Sequence, residues 1–358
     1  MTGGLIIGVR CGDAFESTLW GGLDIGGSKI LGIITDDSGR ILGRWREPTR
    51  SPGTEGKTGI PARLLKGLGT AALSAGLSVP RPGYPTPPPA PGCLAGTGMG
   101  APGPLDADSG MILEAPNLPE WVGIDMVTPL RTTLGCPVWL ENDANLGALG
   151  ESWFGAARGF QEVLYITVST GIGGGIISGG RLIRGACGTA GEVGHMTVNM
   201  DGPICGCGNR GCLEGLASGP AIARRAEAAL ERDRLKTGVL ATFKVGRGSL
   251  TAEDVFRAAW EGDPLALEVV EETGRYLGTG VASLLNLLNP EVVVIGGGVA
   301  AAGGLLLEPL TRHALSRAFK SATRNVKIVA SELGDHSVAL GAVALAQQRA
   351  GRTAPGTV

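Results

Sequence analysis

Hydrophobic residues near the start of the chain form short runs separated by polar turns. The run "WGGLDIG" (20–26) is followed by a glycine turn and the run "KILGIITDD", and "RILGRWREP" follows the turn at Asp36–Gly39. Short β-branched runs bounded by Gly, Asp and Ser predict strands joined by tight turns. The pattern therefore predicts a β-meander built around Asp24.

A similar pattern recurs in the second half of the chain. "EVLYITVSTGIGGGIISGGRLI" predicts a strand, a glycine loop and a strand, and "EVVVIGGGVA" predicts a buried strand, a glycine turn and a helix start. Two similar patterns in 358 residues predict an internally duplicated α/β protein with two domains. We expect a small N-terminal domain over 1–143, which a C-terminal helix at about 336–350 could join, and a large domain over 144–335.

Longer segments with apolar residues at helical spacing predict helices. One is predicted over 61–77 with Pro61 in its first turn, a long one over Pro264–Leu288, and a final one over "HSVALGAVALAQQRA". "GCPVWLENDANLGALGESWFG" predicts a short strand, a loop and a helix from near Ala144. The proline-rich stretch 78–92 excludes a helix or a central strand and predicts a surface loop, to which we assign no site.

Charge and composition narrow the classes of function. The net charge is −2 and no basic cluster stands out, which disfavours nucleic-acid binding. The first residues lack the pattern of a signal peptide, and no apolar run reaches the roughly 18 residues of a membrane span. An odd number of cysteines, seven, fits a reducing cytoplasm better than a disulfide framework. We expect a cytoplasmic protein with no nucleic-acid or membrane partner.

Three of the seven cysteines lie within eight residues, shortly after a histidine. The set is His195, Cys205, Cys207 and Cys212, and it could form a disulfide, a redox pair or a metal site. One imidazole and three thiolates are the ligands of a closed tetrahedral zinc site, and the intervening glycines allow a tight loop. We therefore predict a structural zinc site over 195–212, with free or redox-active cysteines as the alternative.

Two carboxylates flank this cluster. Glu192 lies three residues before His195, and Glu214 lies two residues after Cys212. A loop held by zinc would order both side chains, and ordered carboxylates accept hydrogen bonds from vicinal hydroxyls. The alternative is that both are solvent-exposed charges, and this fragment does not decide between them.

Three glycine-rich turns follow predicted strands. "DIGGSK" (24–29) combines an acid, a hydroxyl and a lysine, so that Asp24 could lie near Mg²⁺ and Ser28 could donate to a phosphate oxygen. "STGIGGG" (169–175) and "IGGGV" (295–299) are further candidates, the last before a helix start. Each could be an ordinary turn, but three at strand ends predict a nucleotide-binding protein.

The segment "ENDAN" (141–145) places an acid where an apolar strand meets a helix. Asp143 or Asn142 could simply cap the helix. Alternatively, Asp143 is a general base that takes the proton of a sugar hydroxyl while that hydroxyl attacks phosphorus.

Together, six segments resemble the ROK family of sugar kinases and repressors, within the actin-like, hexokinase-like ATPases. They are, in order, "DIGGSK", "ENDAN", "STGIGGG", "GEVGH", "CGCGNRGCLE" and "VIGGGV". The resemblance covers about residues 20–345 and implies an α/β fold of two actin-like (ribonuclease H-like) domains with mixed β-sheets. It also implies a cleft between the domains, with sugar at its base and ATP above.

The resemblance also assigns roles by position. Asp143 corresponds to the catalytic base, and His195 would bind zinc through one ring nitrogen while the other faces the sugar. The positions corresponding to sugar ligands are Asn117, Asn142, Asp143, Glu192, His195 and Glu214. The positions corresponding to ATP-binding residues are Asp24, Gly26, Gly27, Ser28, Lys29, Thr170, Gly171, Gly173, Gly174, Gly296, Gly297 and Gly298.

The activity that the resemblance implies is ATP-dependent phosphorylation of a hexose 6-hydroxyl, with glucose as the first choice, using ATP with Mg²⁺ and carrying structural Zn²⁺. It implies a homodimer or higher homo-oligomer. The alternatives are a kinase for N-acetylmannosamine, fructose or allose, and a sugar-responsive repressor. The roughly twenty residues before Asp24 are too few for a helix-turn-helix domain, which disfavours the repressor. Residues 50–95 and the pair His336–Ser337 depart from the family pattern.

Overall fold

The computed structural model describes residues 17–49, 59–76, 93–113, 121–233 and 237–354. The predicted proline-rich loop 78–92 and the predicted sugar ligand Asn117 lie outside these residues. Cys93 is disulfide-bonded, which differs from the expectation that the cysteine count fits a reducing cytoplasm better than a disulfide framework. No helix in the described ranges is both long and apolar enough to cross a membrane.

The chain divides into two compact units. The first unit consists of two segments of the chain, one that ends at Phe154 and one that begins at Val338. The second unit is the continuous segment Gly155–Ser337. This division lies eleven residues after the predicted boundary at 143/144, because the helix that starts at Asp143 packs within the first unit. Its Leu146 carbonyl contacts Gly341 so closely that a Cβ at Gly341 would lie 1.8 Å from the oxygen.

The described residues of the first unit form seven strands and four α-helices. They are β1 (Trp20–Ile25), β2 (Lys29–Thr35), β3 (Ile41–Pro48), α1 (Gly59–Ser74), β4 (Gly96–Ala101), β5 (Leu105–Asp106), β6 (Met111–Ile112), α2 (Val127–Leu134), β7 (Val138–Asn142), α3 (Asp143–Phe154) and, from the C-terminal part of the chain, α11 (Ser337–Arg349). Helix α11 begins at the last residue of the second unit. The meander predicted around Asp24 is confirmed as β1, β2 and β3.

The main sheet of the first unit has five strands in the order β3-β2-β1-β4-β7. Strand β2 is antiparallel to both β1 and β3, whereas β4 is parallel to both β1 and β7. The carboxyl ends of the three parallel strands β1, β4 and β7 therefore meet at one edge. Residues that follow these strands are brought together there.

The two faces of this sheet are packed differently. One face carries the apolar core formed with α1 and α2, including Leu23, Leu64 and Met99. The other face is lined by glycines, and α11 lies directly on it. A Cβ at Gly98 would lie 1.9 Å from the carbonyl oxygen of Ala342 in that helix. The absence of a side chain at Gly98 thus sets the distance between sheet and helix.

This contact predicts a large loss of stability for Gly98→Ala. The added methyl cannot fit 1.9 Å from a backbone oxygen, so α11 must move off the sheet. We expect the free energy of unfolding to fall by about 2–4 kcal/mol, measured by urea denaturation. Gly246→Ala in the second unit is the matched control, because no atom lies within 4 Å of a Cβ built there. Equal stabilities of the two variants would contradict the packing described.

In the second unit, the part of the chain that the structure describes forms five strands and seven α-helices. They are β8 (Val163–Val168), β9 (Ile172–Ser178), β10 (Arg181–Leu182), α4 (Leu213–Ala217), α5 (Gly219–Arg232), α6 (Val239–Arg247), α7 (Ala252–Trp260), α8 (Pro264–Leu288), β11 (Val292–Gly296), α9 (Gly304–Arg317), α10 (Lys320–Thr323) and β12 (Lys327–Ala330). Its sheet has the order β10-β9-β8-β11-β12. Strand β9 is antiparallel to its neighbours, and β11 is parallel to β8 and β12.

The two sheets have the same strand order and the same directions, which confirms the predicted duplication. Each consists of an antiparallel meander whose first strand pairs in parallel with two later strands. The long helix predicted over 264–288 is also confirmed as α8. Asp263 caps its start by accepting from two backbone N–H groups, and Asn289 ends it in the left-handed conformation with φ 46°.

Candidate functional site

In the first unit, the predicted acids lie where the parallel strands end. Asp24 pairs with Gly100 across β1 and β4, and Gly100 pairs with Glu141 across β4 and β7. Partners in a parallel sheet project to the same face, so these three positions form one row. Asp143 follows this row by two residues. Asp24 is the last but one residue of β1 and is 7% exposed.

Asn142 and Asp143 share the first turn of α3. Asn142 Oδ1 accepts from the backbone N–H of Ala144 at 2.9 Å and of Asn145 at 3.2 Å, while its Nδ2 donates to the Gly103 carbonyl at 3.5 Å. Asp143 Oδ1 also accepts from the Ala144 N–H, at 2.8 Å. Asn142 is therefore the main helix cap, and capping alone does not account for an acid at 143.

The first glycine turn connects β1 to β2. The Gly26 N–H donates to the Lys29 carbonyl at 2.9 Å, and Thr49 Oγ1 donates to the Gly26 carbonyl at 2.6 Å. Gly27 and Ser28, between them, are exposed. The turn is thus fixed at its base while its tip remains accessible, as a phosphate-binding turn requires.

The other two glycine loops lie side by side in the second unit, because β8 and β11 are parallel neighbours with Thr167 opposite Gly296. Thr170 is exposed at the tip of the first loop and Gly298 at the tip of the second. Gly171 is partly exposed and Gly297 lies against the backbone of Val168.

Two of the predicted ATP-binding glycines lie within a strand. Gly173 and Gly174 are part of β9, and Gly174 is buried. A Cβ at Gly174 would lie 2.8 Å from a methyl of Val193. Gly174 therefore allows the "GEVGH" segment to pack on β9.

The cysteine cluster forms a compact set of metal-binding groups in the second unit. The donor atoms of His195, Cys205, Cys207 and Cys212 all lie within 4.8 Å of one another. Two pairs, Cys207 Sγ with Cys212 Sγ and Cys205 Sγ with His195 Nδ1, are each 3.8 Å apart. Ligands around a tetrahedral zinc with bonds of about 2.3 Å are separated by roughly 3.8 Å. The three thiols are free, so the arrangement fits a zinc site better than a disulfide.

Backbone contacts hold the loop in this shape. The Cys205 N–H donates to the Asn209 carbonyl at 2.7 Å, and the Gly208 N–H donates to the Cys205 carbonyl at 2.9 Å. Gly211 has a left-handed φ of 71°, and a Cβ there would lie 1.6 Å from the Asn199 carbonyl oxygen. Glycine is therefore required at 211 for the loop to close.

The thiols differ in how readily they lose a proton. Burial, with hydrogen bonding to Cys207, raises the pKa of Cys212 to about 12. A hydrogen bond from the Asn209 backbone N–H lowers the pKa of Cys207. Metal ligands must be deprotonated, so a cation would have to offset the cost of ionising Cys212.

The two ring nitrogens of His195 face different partners. Nδ1 faces the Cys205 thiol, whereas Nε2 lies 3.9 Å from Glu192 Oε2. The side chains of His195 and Glu192 are 37% and 47% exposed. With Nδ1 directed to the cluster, Nε2 and Glu192 form an accessible polar pair.

Glu214 connects the cluster to the loop between β8 and β9. Its Oε2 accepts from the Ile172 N–H at 2.9 Å, and its Oε1 lies 3.8 Å from Cys205 Sγ. The sequence left open whether the flanking carboxylates are ordered or are solvent-exposed charges. Glu214 is ordered by its hydrogen bond from the Ile172 N–H. Glu192 is the more exposed of the two.

Sequence reasoning missed two side chains that support these sites, Glu141 and Arg225. Glu141 is buried beside Asn142. In the predicted glycine loop, the Ser169 carbonyl accepts from the Gly219 N–H at 2.8 Å, which brings the start of α5 to this loop. Both Nη atoms of Arg225 donate to the Leu216 carbonyl at 2.9 Å and so fix the end of α4, the helix that carries Glu214. A charged residue within an apolar strand was the available signal for Glu141. Arg225 lies in an ordinary amphipathic helix and gave no signal.

Comparison with known proteins agrees with this organisation. Residues 88–349 match the ROK family. A glucokinase of Halalkalibacterium halodurans is 37% identical, covering 92% of this chain and 94% of that one. A ROK family glucokinase of Streptomyces griseus, solved with glucose and AMPPNP, is 34% identical with a TM-score of 0.76, covering 93% and 99% of the two chains.

The comparisons also include a repressor. The xylose repressor of Caldicellulosiruptor bescii is 38% identical over 70% of this chain and 62% of its own length. The family match covers most of the chain and includes five of the six motifs, and it agrees with the two actin-like sheets. The family prediction is confirmed: the chain belongs to the ROK family.

Proposed function

We propose that this protein is an ATP-dependent glucokinase, which transfers the γ-phosphoryl group of ATP to the 6-hydroxyl of glucose. The observation that carries the proposal is the match to glucokinases over nearly the whole of both chains. The xylose repressor matches over a smaller share of its own length, which favours the kinase. The cytoplasm, where ATP is abundant, is the expected location.

In this proposal Asp143 is the general base. It accepts the proton of the sugar 6-hydroxyl as the oxygen attacks the γ-phosphorus and the bond to the β-phosphate oxygen breaks. Asn142, beside it, binds the sugar, as does Asn117. An Asp fixed on a helix start by the Ala144 N–H suits this role, because a general base must be held within hydrogen-bond reach of its proton.

Glu192, His195 and Glu214 bind the sugar hydroxyls. Carboxylates accept two hydrogen bonds at once, and the geometry of Nε2 with Glu192 supports a shared hydroxyl contact. Zinc held by His195 Nδ1 and the three cysteines would be structural, because all four coordination positions are filled by protein. Its role is to keep these ligands in place.

The glycine turns bind the nucleotide. Backbone N–H groups at 27–28 and 170–171 are assigned to the phosphates, with Ser28 and Lys29 beside them and Gly26 closing the base of the turn. Gly296–Gly298 are assigned to the adenosine side. When bound, Mg²⁺ neutralises phosphate charge, and Asp24 is the residue assigned to it. A homodimer or higher homo-oligomer is part of the proposal.

The experiment that tests the function is a coupled assay of ADP release across a panel of sugars. The panel contains glucose, fructose, allose, mannose and N-acetylmannosamine, and zinc is quantified in the same preparation. We expect the highest kcat/KM with glucose and about one zinc per chain. If turnover is confined to another sugar, that sugar and not glucose is the substrate. No turnover, together with retention on promoter DNA at physiological salt, would favour the repressor.

A further inference from the structure

Two buried polar side chains, Glu141 and Asn145, lie on either side of Asp143 in sequence. Glu141 is 3% exposed and Asn145 is 1% exposed. Glu141 Oε1 accepts from the backbone N–H of Asn142 at 3.0 Å and from Nδ2 of Asn145 at 3.0 Å. This pair therefore ties the end of β7 to the first turn of α3, across the residue assigned as base.

The sheet register explains how Glu141 reaches the helix. Glu141 is opposite Gly100, whose missing side chain leaves room for Leu146 of α3 and Val338 of α11. Glu141 projects to this same face and so lies beneath the start of α3. Its neighbour Leu140 projects to the apolar core instead. From this strand position the acid accepts a hydrogen bond from Asn145.

The amide orientation of Asn145 follows from this contact. A carboxylate oxygen accepts hydrogen bonds, so Nδ2 must face Glu141 and Oδ1 must point away. Oδ1 is buried and has no hydrogen-bond partner within the part of the chain that the structure describes. An unsatisfied buried acceptor costs about 1–3 kcal/mol. Asn145 therefore keeps its hydrogen bond to Glu141 at the cost of an unsatisfied acceptor on the same side chain.

We propose that Glu141 and Asn145 are positioning residues that hold the turn 142–145 so that Asp143 is oriented for proton transfer. The inference rests on the proposed function for the role of Asp143. The backbone N–H of Asn142 and the side chain of Asn145 are fixed by one carboxylate oxygen, and Asp143 lies between them. A misplacement of about 1 Å at a catalytic group can cost 100-fold in rate.

Two substitutions at Glu141 test the proposal. Glu141→Ala removes the acceptor of both hydrogen bonds, so we expect kcat to fall about 100-fold while the KM for glucose changes less than about 3-fold. Glu141→Gln keeps a carbonyl oxygen in the same place, and we expect kcat to stay within about 5-fold of wild type. A kcat in Glu141→Ala within that same range, or no recovery in Glu141→Gln, would overturn the inference.

Asn145→Ala provides a second test of the proposal in case Glu141→Ala does not fold. It removes the unsatisfied Oδ1 together with Nδ2, so we expect the melting temperature to change by less than about 3 °C. We expect kcat to fall at least about 10-fold even so. A stable Asn145→Ala protein with wild-type kcat would show that the pair does not position the base.

A readout without substrate separates this inference from the glucokinase proposal. Amide hydrogen exchange at residues 142–145 should be at least about 10-fold faster in Glu141→Ala and unchanged in Glu141→Gln, with α8 as the internal reference. If wild type phosphorylates no sugar, the proposed function fails, and the exchange rates still decide whether the pair holds the turn. Exchange unchanged in Glu141→Ala would overturn the inference.

Discussion

Replacing Asp143 with asparagine is expected to lower kcat about 1,000-fold while the dissociation constant for glucose changes less than about 3-fold. The amide cannot take the proton of the 6-hydroxyl. It nevertheless keeps the size of the side chain and an oxygen that can accept from the Ala144 N–H, so the turn should persist. Steady-state kinetics give kcat, and calorimetric titration with glucose gives the dissociation constant.

The control for lost charge is Asp108→Asn. Asp108 is an exposed aspartate of the same unit, and it lies in the turn between β5 and β6, where its backbone N–H donates to Asp106 Oδ1. We expect its kcat to equal that of wild type. If Asp143→Asn is as active as Asp108→Asn, Asp143 is not the base. If it loses glucose affinity in proportion to kcat, Asp143 is mainly a sugar ligand.

The second large effect is expected at the cysteine cluster. Cys207→Ser removes one of the four proposed zinc ligands, whose donor atoms lie within 4.8 Å of one another, and zinc affinity should fall at least about 100-fold. We expect the zinc content to fall from about one per chain to nearly none. The melting temperature should fall by at least about 5 °C, because a metal that binds only the folded state stabilises it.

The loss of zinc should also disorder the residues proposed to bind the sugar. His195 belongs to the cluster and pairs with Glu192, and Glu214 lies against Cys205. The KM for glucose should therefore rise at least about 10-fold. Cys187→Ser is the matched control, since Cys187 is an exposed free thiol of the same unit outside the cluster. Equal zinc content and melting temperature in the two variants would rule out the proposed zinc site.

The strands and the long helix could be predicted from sequence because their patterns are local. Alternating apolar runs and turn residues define β1 to β3, and Asp263, Pro264 and Asn289 mark the ends of α8. The boundary between the units could not be predicted in the same way. It depends on the contact between Leu146 and Gly341, residues almost two hundred positions apart in sequence.

The residue types of the site could be predicted from sequence better than the hydrogen bonds that join them. The spacing of His195 and the three cysteines was sufficient to predict the cluster, because these residue types rarely coincide without a metal. The bond from the Ile172 N–H to Glu214 joins residues that are distant in sequence, and nothing local encodes it. The pairing of Glu141 with Asn145 is local, but it becomes visible only once the burial of both side chains is known.

The position of α11 has a consequence for the order in which the protein matures during translation. The strands of the first unit are synthesised early, but the helix that covers their glycine-lined face is not made until the whole of 155–337 has been translated. At about 5–20 residues per second, that delay is roughly ten to forty seconds. The nascent chain must carry an open sheet for this period, and chaperones that shield exposed strands would act on it then. The later-coded middle of the polypeptide can thus reach its native state before the earlier-coded beginning.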